Sequence, residues 1–406
     1  MSKRKPLGPL FIAVLAVAAF AFVYRKTVDT QEAPPELSGR LWVAEESEGE
    51  PLLVSLIKEE RLYSVRRRFS PSTHKYYTRY TLIARKLSDG SVAARMKVRD
   101  IVRNSGQPQP ELIGVAGGRA WLWDGGLAAY TLPRLDPSFS AESWGARAAA
   151  VAELLPAKSD EFRITPDRRH LAFRGRDARI YRIEADDGDV AVISPELFPA
   201  TTRSQQMEDR FVHYRPPEMS RIVTNVSHFT QKGYRAADGY WYALLSESEL
   251  MGLGRRVSVD IRPYGDVARA YYRIPYEWDG RYAVIDPPRT ETLGDVRLIQ
   301  AGFVEREFFQ IWTVPDPASA LALARPKLGP DVPWDLIRLG HDGRIVWRTS
   351  TGLADIYGYL PTTRDVVFVG QRLPASVAGS KGDRREYAVT IDVTTGKSRQ
   401  FDVGDD

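Results

Sequence analysis

Three observations in the sequence predict an all-β protein. Short runs alternate apolar with polar residues, as in YTLIARK (80–86), SVAARMKV (91–98) and RAWLW (119–123), which is the period of a half-buried strand. The dipeptide Asp-Gly, which tolerates the positive φ of a tight hairpin, recurs at Asp89, Asp124, Asp187, Asp238, Asp279 and Asp342. Thr395-Gly396 takes the same place near the C-terminus, and no long stretch has helical spacing. Each interval between turns holds room for about four strands. At roughly 40 to 50 residues per blade, positions 39–406 then predict a seven- or eight-bladed β-propeller of four-stranded antiparallel blades.

Composition narrows the classes further. The 406 residues are 43% hydrophobic and contain no Cys. That supports a large core and excludes disordered, collagenous and disulfide-stapled chains, together with thiol nucleophiles, thiolate zinc sites and iron–sulfur clusters.

In chain order, the first element is Lys3-Arg4-Lys5, an apolar run from Leu10 to Tyr24, and Arg25-Lys26. As a helix, residues 7–24 reach about 27 Å, close to the roughly 30 Å of a hydrocarbon core. We read 1–26 as a single-pass transmembrane anchor with its N-terminus in the cytoplasm by the positive-inside rule, and 27–38, with Pro34-Pro35, as a tether. A cleaved signal peptide is the competing reading, because Ala19-Phe20-Ala21 has the form of a cleavage site, but the apolar run outlasts it. The net charge of +5 resides in this segment, so the rest of the chain is neutral and lacks the electrostatic footprint of a nucleic-acid binder.

Next comes a basic, aromatic strip. Arg61, Arg66, Arg67, Arg68, Lys75, Arg79, Arg85 and Lys86 stand with His74 and no acid between Arg61 and Ser88, interleaved with Tyr63, Phe69, Tyr76, Tyr77 and Tyr80. Such a strip suits an anionic surface, and we single out Arg66, Arg67, Arg68, Lys75 and Arg79 as its contact residues. The alternative is a solvated strand face, with Ser64, Arg66 and Arg68 outward and Tyr63, Val65 and Phe69 inward. Two hairpins follow from the Asp-Gly turns, 80–86 with 91–98 and 119–123 with 127–130. A short inserted helix is predicted over 141–155, where Trp144, Ala148, Val151, Leu154 and Leu155 fall at helical spacing behind Ser140.

The C-terminal third has the clearest blade texture: WDLIRLGHDGRIVWRTSTG (334–352), DVVFVG (365–370) and EYAVTIDVTTGKSRQFDV (386–403). The order of strand, Asp-Gly, strand with Trp347, then Asp392-x-x-Thr-Gly396-Lys397 resembles the repeat of quinoprotein-like propellers. More closely, the segments at 118–132, 162–188, 239–249 and 297–309 resemble an uncharacterised family of membrane-anchored bacterial proteins of this propeller type. The resemblance implies a fold and an inner-membrane location with the propeller on the periplasmic side, and no chemistry. Quinone-dependent members of the wider superfamily use adjacent cysteines, a stacking Trp and calcium. Without Cys no cofactor is expected here, and Trp347 is read as packing between blades. Three C-terminal strands need a fourth, so residues 40–44 (RLWVA) are expected to close the ring by pairing with the last blade.

Other catalytic signatures are absent. His74, His170, His213, His228 and His341 form no ligand pair at helical spacing, and there is no nucleophile elbow, phosphate loop or dinucleotide fingerprint. Glu247/Glu249 and Glu305/Glu307 read as acids on strand edges, and the acids at 186–189 as a hairpin turn. No catalytic or metal-ligating residue is assigned. The function expected is a non-catalytic binding or scaffold module whose partners are the inner membrane, through the N-terminal helix, and another envelope protein or anionic lipid. The alternative is a propeller hydrolase or lyase with carboxylates lining its channel.

Overall fold

A computed structural model describes residues 25–31, 35–45, 50–67, 70–140, 153–165, 167–184, 189–194, 198, 230–252, 268–278, 283–285, 289–307, 310–315, 318–329, 331–372 and 385–404. The first sheet contains β1 (Arg25–Gln31), β2 (Glu36–Ala44), β3 (Leu52–Arg67), β4 (Ser70–Lys86) and β5 (Val92–Val102). β2 to β5 lie side by side, and β1 continues along the edge of β3 that β2 leaves. The run LLVSLI (52–57) is buried throughout because its two faces meet different neighbours. Leu52, Val54 and Leu56 pack on the second sheet, while Leu53 and Ile57 pack on the last.

The second sheet is β6 (Glu111–Ala116), β7 (Arg119–Trp123), β8 (Leu127–Thr131) and β9 (Asp136–Ser140). The third is β10 (Phe162–Ile164), β11 (Leu171–Arg174), β12 (Ile180–Ile183) and β13 (Val190–Val192). Both are antiparallel meanders, and Ile113, Trp121 and Phe139 of one pack on Phe162, Ile164 and Phe173 of the other. The Asp89 and Asp124 hairpins form as the alternation predicts. The helix expected over 141–155 lies mostly outside the described residues, although Leu155 is buried in this inter-sheet core.

An eleven-stranded sheet follows, made of β14 (Thr230–Gln231), β15 (Gly233–Arg235), β16 (Tyr240–Leu245), β17 (Ala268–Trp278), β18 (Ala283–Ile285), β19 (Glu291–Glu307), β20 (Gln310–Ile311), β21 (Thr313–Val314), β22 (Ser319–Arg325), β23 (Asp335–Gly340) and β24 (Ile345–Ser350). A short helix, α1 (Glu247–Gly252), follows β16 and takes Glu247 and Glu249 off the strand edge on which the alternation puts them. The sheet is two four-stranded units sharing β19. The first half of β19 pairs β17, its second half pairs β22, and the register shifts between Ile299 and Gly302, where Gln300 has a φ of 53°. β16 and β23 are four ladder steps apart, roughly 19 Å in a flat sheet. Yet Tyr242 on β16 stacks on His341 just after β23 at 4.2 Å between ring centroids. The two units therefore turn face to face about β19, burying Leu244 and Tyr271 with Ala322 and Ile337.

The last sheet is β25 (Asp355–Pro361), β26 (Asp365–Gln371), β27 (Tyr387–Asp392) and β28 (Ser398–Asp402). Here the expected closure is corrected. β25 supplies the fourth strand, and Leu41–Ala44 pair with Leu52–Ser55 in the first sheet instead. The first and last sheets still meet, face to face: Leu41 and Val43 pack with Val367 and Val369. Leu37 N donates to Glu386 Oε2 at 2.6 Å, Thr363 N to Glu45 Oε1 at 2.7 Å, and the buried Arg85 guanidinium reaches the Val403 carbonyl. Among the described residues there are six four-stranded antiparallel units, fewer than seven or eight blades require.

Residues 1–24 lie outside the described residues, and among the described residues no helix is long and apolar enough to cross a membrane. Of the segment read as a tether, residues 27–31 belong to β1 and 36–38 open β2.

Candidate functional site

The basic strip is one long hairpin. β3 and β4 stay paired from Leu52↔Lys86 to Arg67↔Ser70, well past the end of β5, whose last pair is Tyr77↔Val102. Beyond that pair, of the described strands only β1, β3 and β4 continue, as an arm of the first sheet. Toward its root the hairpin's cations are paired with nearby acids. Arg79 Nε lies 3.1 Å from Asp100 Oδ1 and Lys97 Nζ 2.7 Å from Asp100 Oδ2. Burial works against ionisation of Asp100, but the hydrogen bonds from Arg79 and Lys97 outweigh it and hold the carboxyl below its ordinary range. Arg61 pairs with Glu59 at 2.9 Å, Lys58 with Glu36 at 3.4 Å and Lys86 with Glu50 at 3.5 Å.

Of the five contact residues singled out, Arg79 is thus engaged by Asp100, and Lys75 is exposed. Arg66 and Arg67 end β3, Arg66 opposite Lys26 and Arg67 opposite Arg25. Arg68 lies outside the described residues. On the arm Ser64 is buried and Tyr63 half-buried, so the alternation runs opposite to the solvated-face alternative for these two positions. Arg85 leaves the strip altogether, because it is buried between the first and last sheets.

A second constellation went unseen in the sequence. The Asp238 and Asp342 turns come together, and with them Tyr234, Tyr242, Tyr271 and His341. The Tyr234 hydroxyl lies 2.9 Å from His341 Nε2, and Tyr242 donates to Asp238 Oδ2 at 2.7 Å. Arg273 stacks on the Tyr240 ring at 3.8 Å. Burial raises all three phenols well above the ordinary tyrosine range and lowers the His341 imidazole. Burial therefore keeps the rings in their neutral forms, the reverse of what an activated phenolate nucleophile needs. What the cluster does is join the two units that share β19. No spacing rule links residues 107 positions apart, so only the recurrence of Asp-Gly pointed to both turns.

Two of the four carboxylates in the Glu247/Glu249 and Glu305/Glu307 pairs have described partners. Glu249 binds Arg269 at 3.1 Å and Lys232 at 2.9 Å, and Glu305 accepts from Gln231 Nε2 at 2.5 Å. Among the described residues no group of three His, Asp or Glu side chains could hold a metal ion. The pairs at 186–187 and the histidines at 213 and 228 lie outside the described residues.

No protein-family model matches the chain, and no curated protein matches it. Solved structures similar to it include a 6-phosphogluconolactonase-like protein of Bacteroides fragilis, 11% identical over 91% of this chain and 96% of the other, with a TM-score of 0.23. Another of that description from Bacteroides uniformis is 8% identical over 78% of this chain and 95% of the other, with a TM-score of 0.16. The WD40 domain of SCAP from fission yeast is 8% identical over 91% of this chain and 66% of that one, also with a TM-score of 0.16. Superpositions this loose carry no argument about fold or activity.

Proposed function

We propose that this chain is a membrane-anchored β-propeller of the bacterial envelope that works as a non-catalytic docking module, its basic arm turned toward an anionic lipid surface. The observation that carries this reading is the order of packing. The first sheet packs on the second, the second on the third, the two units of the eleven-stranded sheet on each other, the second of these on the last, and the last on the first. Four-stranded sheets stacked in chain order with the ends in contact fit a ring of blades, the one junction not seen, from the third sheet to the next, falling where residues 199–229 lie outside the described residues. Of the acid pairs the sequence offers, Glu249 is held by Arg269 and Lys232 and Glu305 accepts from Gln231, which favours docking over hydrolysis at these two positions.

Two measurements on the expressed full chain test it. The mature protein should resist carbonate extraction and keep its N-terminus, and protease added to intact spheroplasts should digest the body. A mature N-terminus at Phe22, or a body digested only after lysis, overturns the anchoring or its orientation.

A further inference from the structure

We infer that the seam between the two units that share β19 is an acid-sensitive latch, closed by the Tyr234 hydroxyl on a neutral His341 and loosened when that imidazole takes up a proton. The inference does not depend on the anchoring proposed above.

Geometry makes the seam a latch. The two units are joined along one strand, and β19 bends between them where its register shifts and Gln300 takes a φ of 53°. Away from that bend, the turn after β23 is set into the other unit. The His341 ring stacks on Tyr242 at 4.2 Å and 22°, and its Nε2 meets the Tyr234 hydroxyl at 2.9 Å. Two residues on, Gly343 lies flush on β19. A Cβ there would meet the Leu293 carbonyl carbon at 2.6 Å, and a Cβ on Gly294 would meet the Gly343 oxygen at 2.6 Å. His341 N also donates to the Ala318 carbonyl at 2.9 Å, so the imidazole is held by its own backbone as well. Two bodies joined along one bent strand open or close with the contacts opposite the bend.

The direction follows from where the protons sit. Tyr234 is buried, and burial keeps its hydroxyl protonated, so it donates to a bare Nε2 and His341 carries its own proton on Nδ1. Behind it is the Tyr271 hydroxyl, wholly buried and near enough to Tyr234 to shift its titration, with no hydrogen-bond partner of full geometry among the described residues. In the neutral state both phenolic protons point outward, from Tyr271 to Tyr234 to His341. A proton on Nε2 reverses that order. Tyr234 must then accept from the imidazolium and turn its own proton inward, which leaves the Tyr271 proton in apolar packing against Leu244 and Phe303. A buried donor without an acceptor destabilises the arrangement that strands it.

Burial is also the largest influence on the ring itself, and it holds the imidazole below its ordinary range. Of the charges that face it, Asp238, which accepts from Tyr242, and Asp342 of its own turn pull the other way. Arg273, stacked on Tyr240 and 3.5 Å from Glu291 of β19, adds to the effect of burial. A lowered histidine contributes stability above the unfolded value of about 6.5, and that stability is lost as pH falls through it toward the folded value.

Two measurements on the detergent-solubilised full chain test the latch. Exchange of the imidazole C2 hydrogen, read by mass spectrometry in the peptide that carries His341, gives the titration of that ring in the unaltered protein. Its midpoint should fall below about 6.5, and a midpoint at or above that value overturns the latch. Backbone amide exchange, corrected for the intrinsic effect of pH, is followed at pH 7.5 and 5.5 over 240–245, over 335–341 and, as a reference, over 366–370 in the last sheet. Protection in the first two should fall several-fold on acidification while the reference holds. In His341→Phe, which keeps a ring against Tyr242 but cannot titrate, that fall should vanish. In Tyr234→Phe, which takes the hydroxyl away, it should shrink. A fall of equal size in His341→Phe, or no fall in the parent, overturns the latch. If neither variant folds, the parent's C2 midpoint and its own change in protection still decide.

Discussion

Glu249 is the residue at which the local reading of the sequence and the structure part. Two acids at i and i+2 suit a strand edge, but Ser246-x-x-Glu249 is also a capping box. Ser246 N donates to Glu249 Oε2 at 2.8 Å, and Glu249 N to Ser246 Oγ at 3.2 Å. The motif starts α1 and aims the carboxylate at Arg269, which is wholly buried and also donates to the Ala301 carbonyl. Burial opposes ionisation of Glu249, but hydrogen bonds from Arg269, the Ser246 amide and Lys232 outweigh it and hold the carboxyl at about 2, against an ordinary 4.5. A depressed carboxylate stabilises the fold fully above the unfolded value, and that stability is lost as pH falls from about 4.5 toward 2. Glu249→Gln should therefore cost about 2 to 3 kcal/mol at neutral pH by stranding Arg269. The gap between the two proteins' urea midpoints should be steady from pH 7 to 5 and narrow by pH 3. A gap that persists at pH 3 would sink the ion-pair account.

At the scale of elements, the Asp-Gly hairpins were readable because turn geometry is local. β25 was not, since DIYGYLP carries neither strict alternation nor a flanking Asp-Gly, and its partner β26 decides its state. Trp347 lies between these cases. Its place in the repeat pointed to packing between sheets, and the structure seats it against the turn of β27 and β28. Its Nε1 donates to the Thr394 carbonyl at 3.2 Å, and a Cβ on Gly396 would meet the indole at 2.7 Å. Thr349 Oγ1 donates to Gly396 O at 2.7 Å beside it. Trp347→Ala removes this bond and its packing at a half-buried position, for a loss of about 2 kcal/mol. Urea unfolding of the detergent-solubilised chain measures it, and an unchanged midpoint would mean that the contact contributes nothing. The arm shows the limit of reading one strand alone: between Arg61 and Ser88 there is no acid, yet Asp100 reaches the strip from β5.

Across the whole molecule, the contact of first and last sheets decides whether the chain unfolds as one unit. Glu386 is buried and accepts Leu37 N across 349 positions of sequence. Glu386→Ala leaves that amide buried without its acceptor, a loss of about 1 to 3 kcal/mol. Because the bond ties the two ends together, the loss should appear as one lower midpoint by tryptophan fluorescence and by proteolysis alike. Separate transitions, with the C-terminal sheet melting first, would show that the ends are not coupled. The ring we propose depends on that coupling.

The strands flanking the Asp-Gly turns, the positions of those turns and the neutrality of everything after residue 26 were set by the sequence itself, because alternation, turn residues and charge are properties of neighbours along a chain. Which strands share a sheet was a tertiary decision. RLWVA (40–44) has the same alternation whether it pairs with β3 or with β28, and the adjacent β3 wins because a short connection closes at lower entropic cost than a chain-length loop. The tying of acids to the basic strip, the union of two remote turns around His341 and the placing of Arg25 opposite Arg67 likewise arose only on folding. Each depends on which side chains the packed sheets bring within a few ångströms, a distance that spacing along the sequence does not encode.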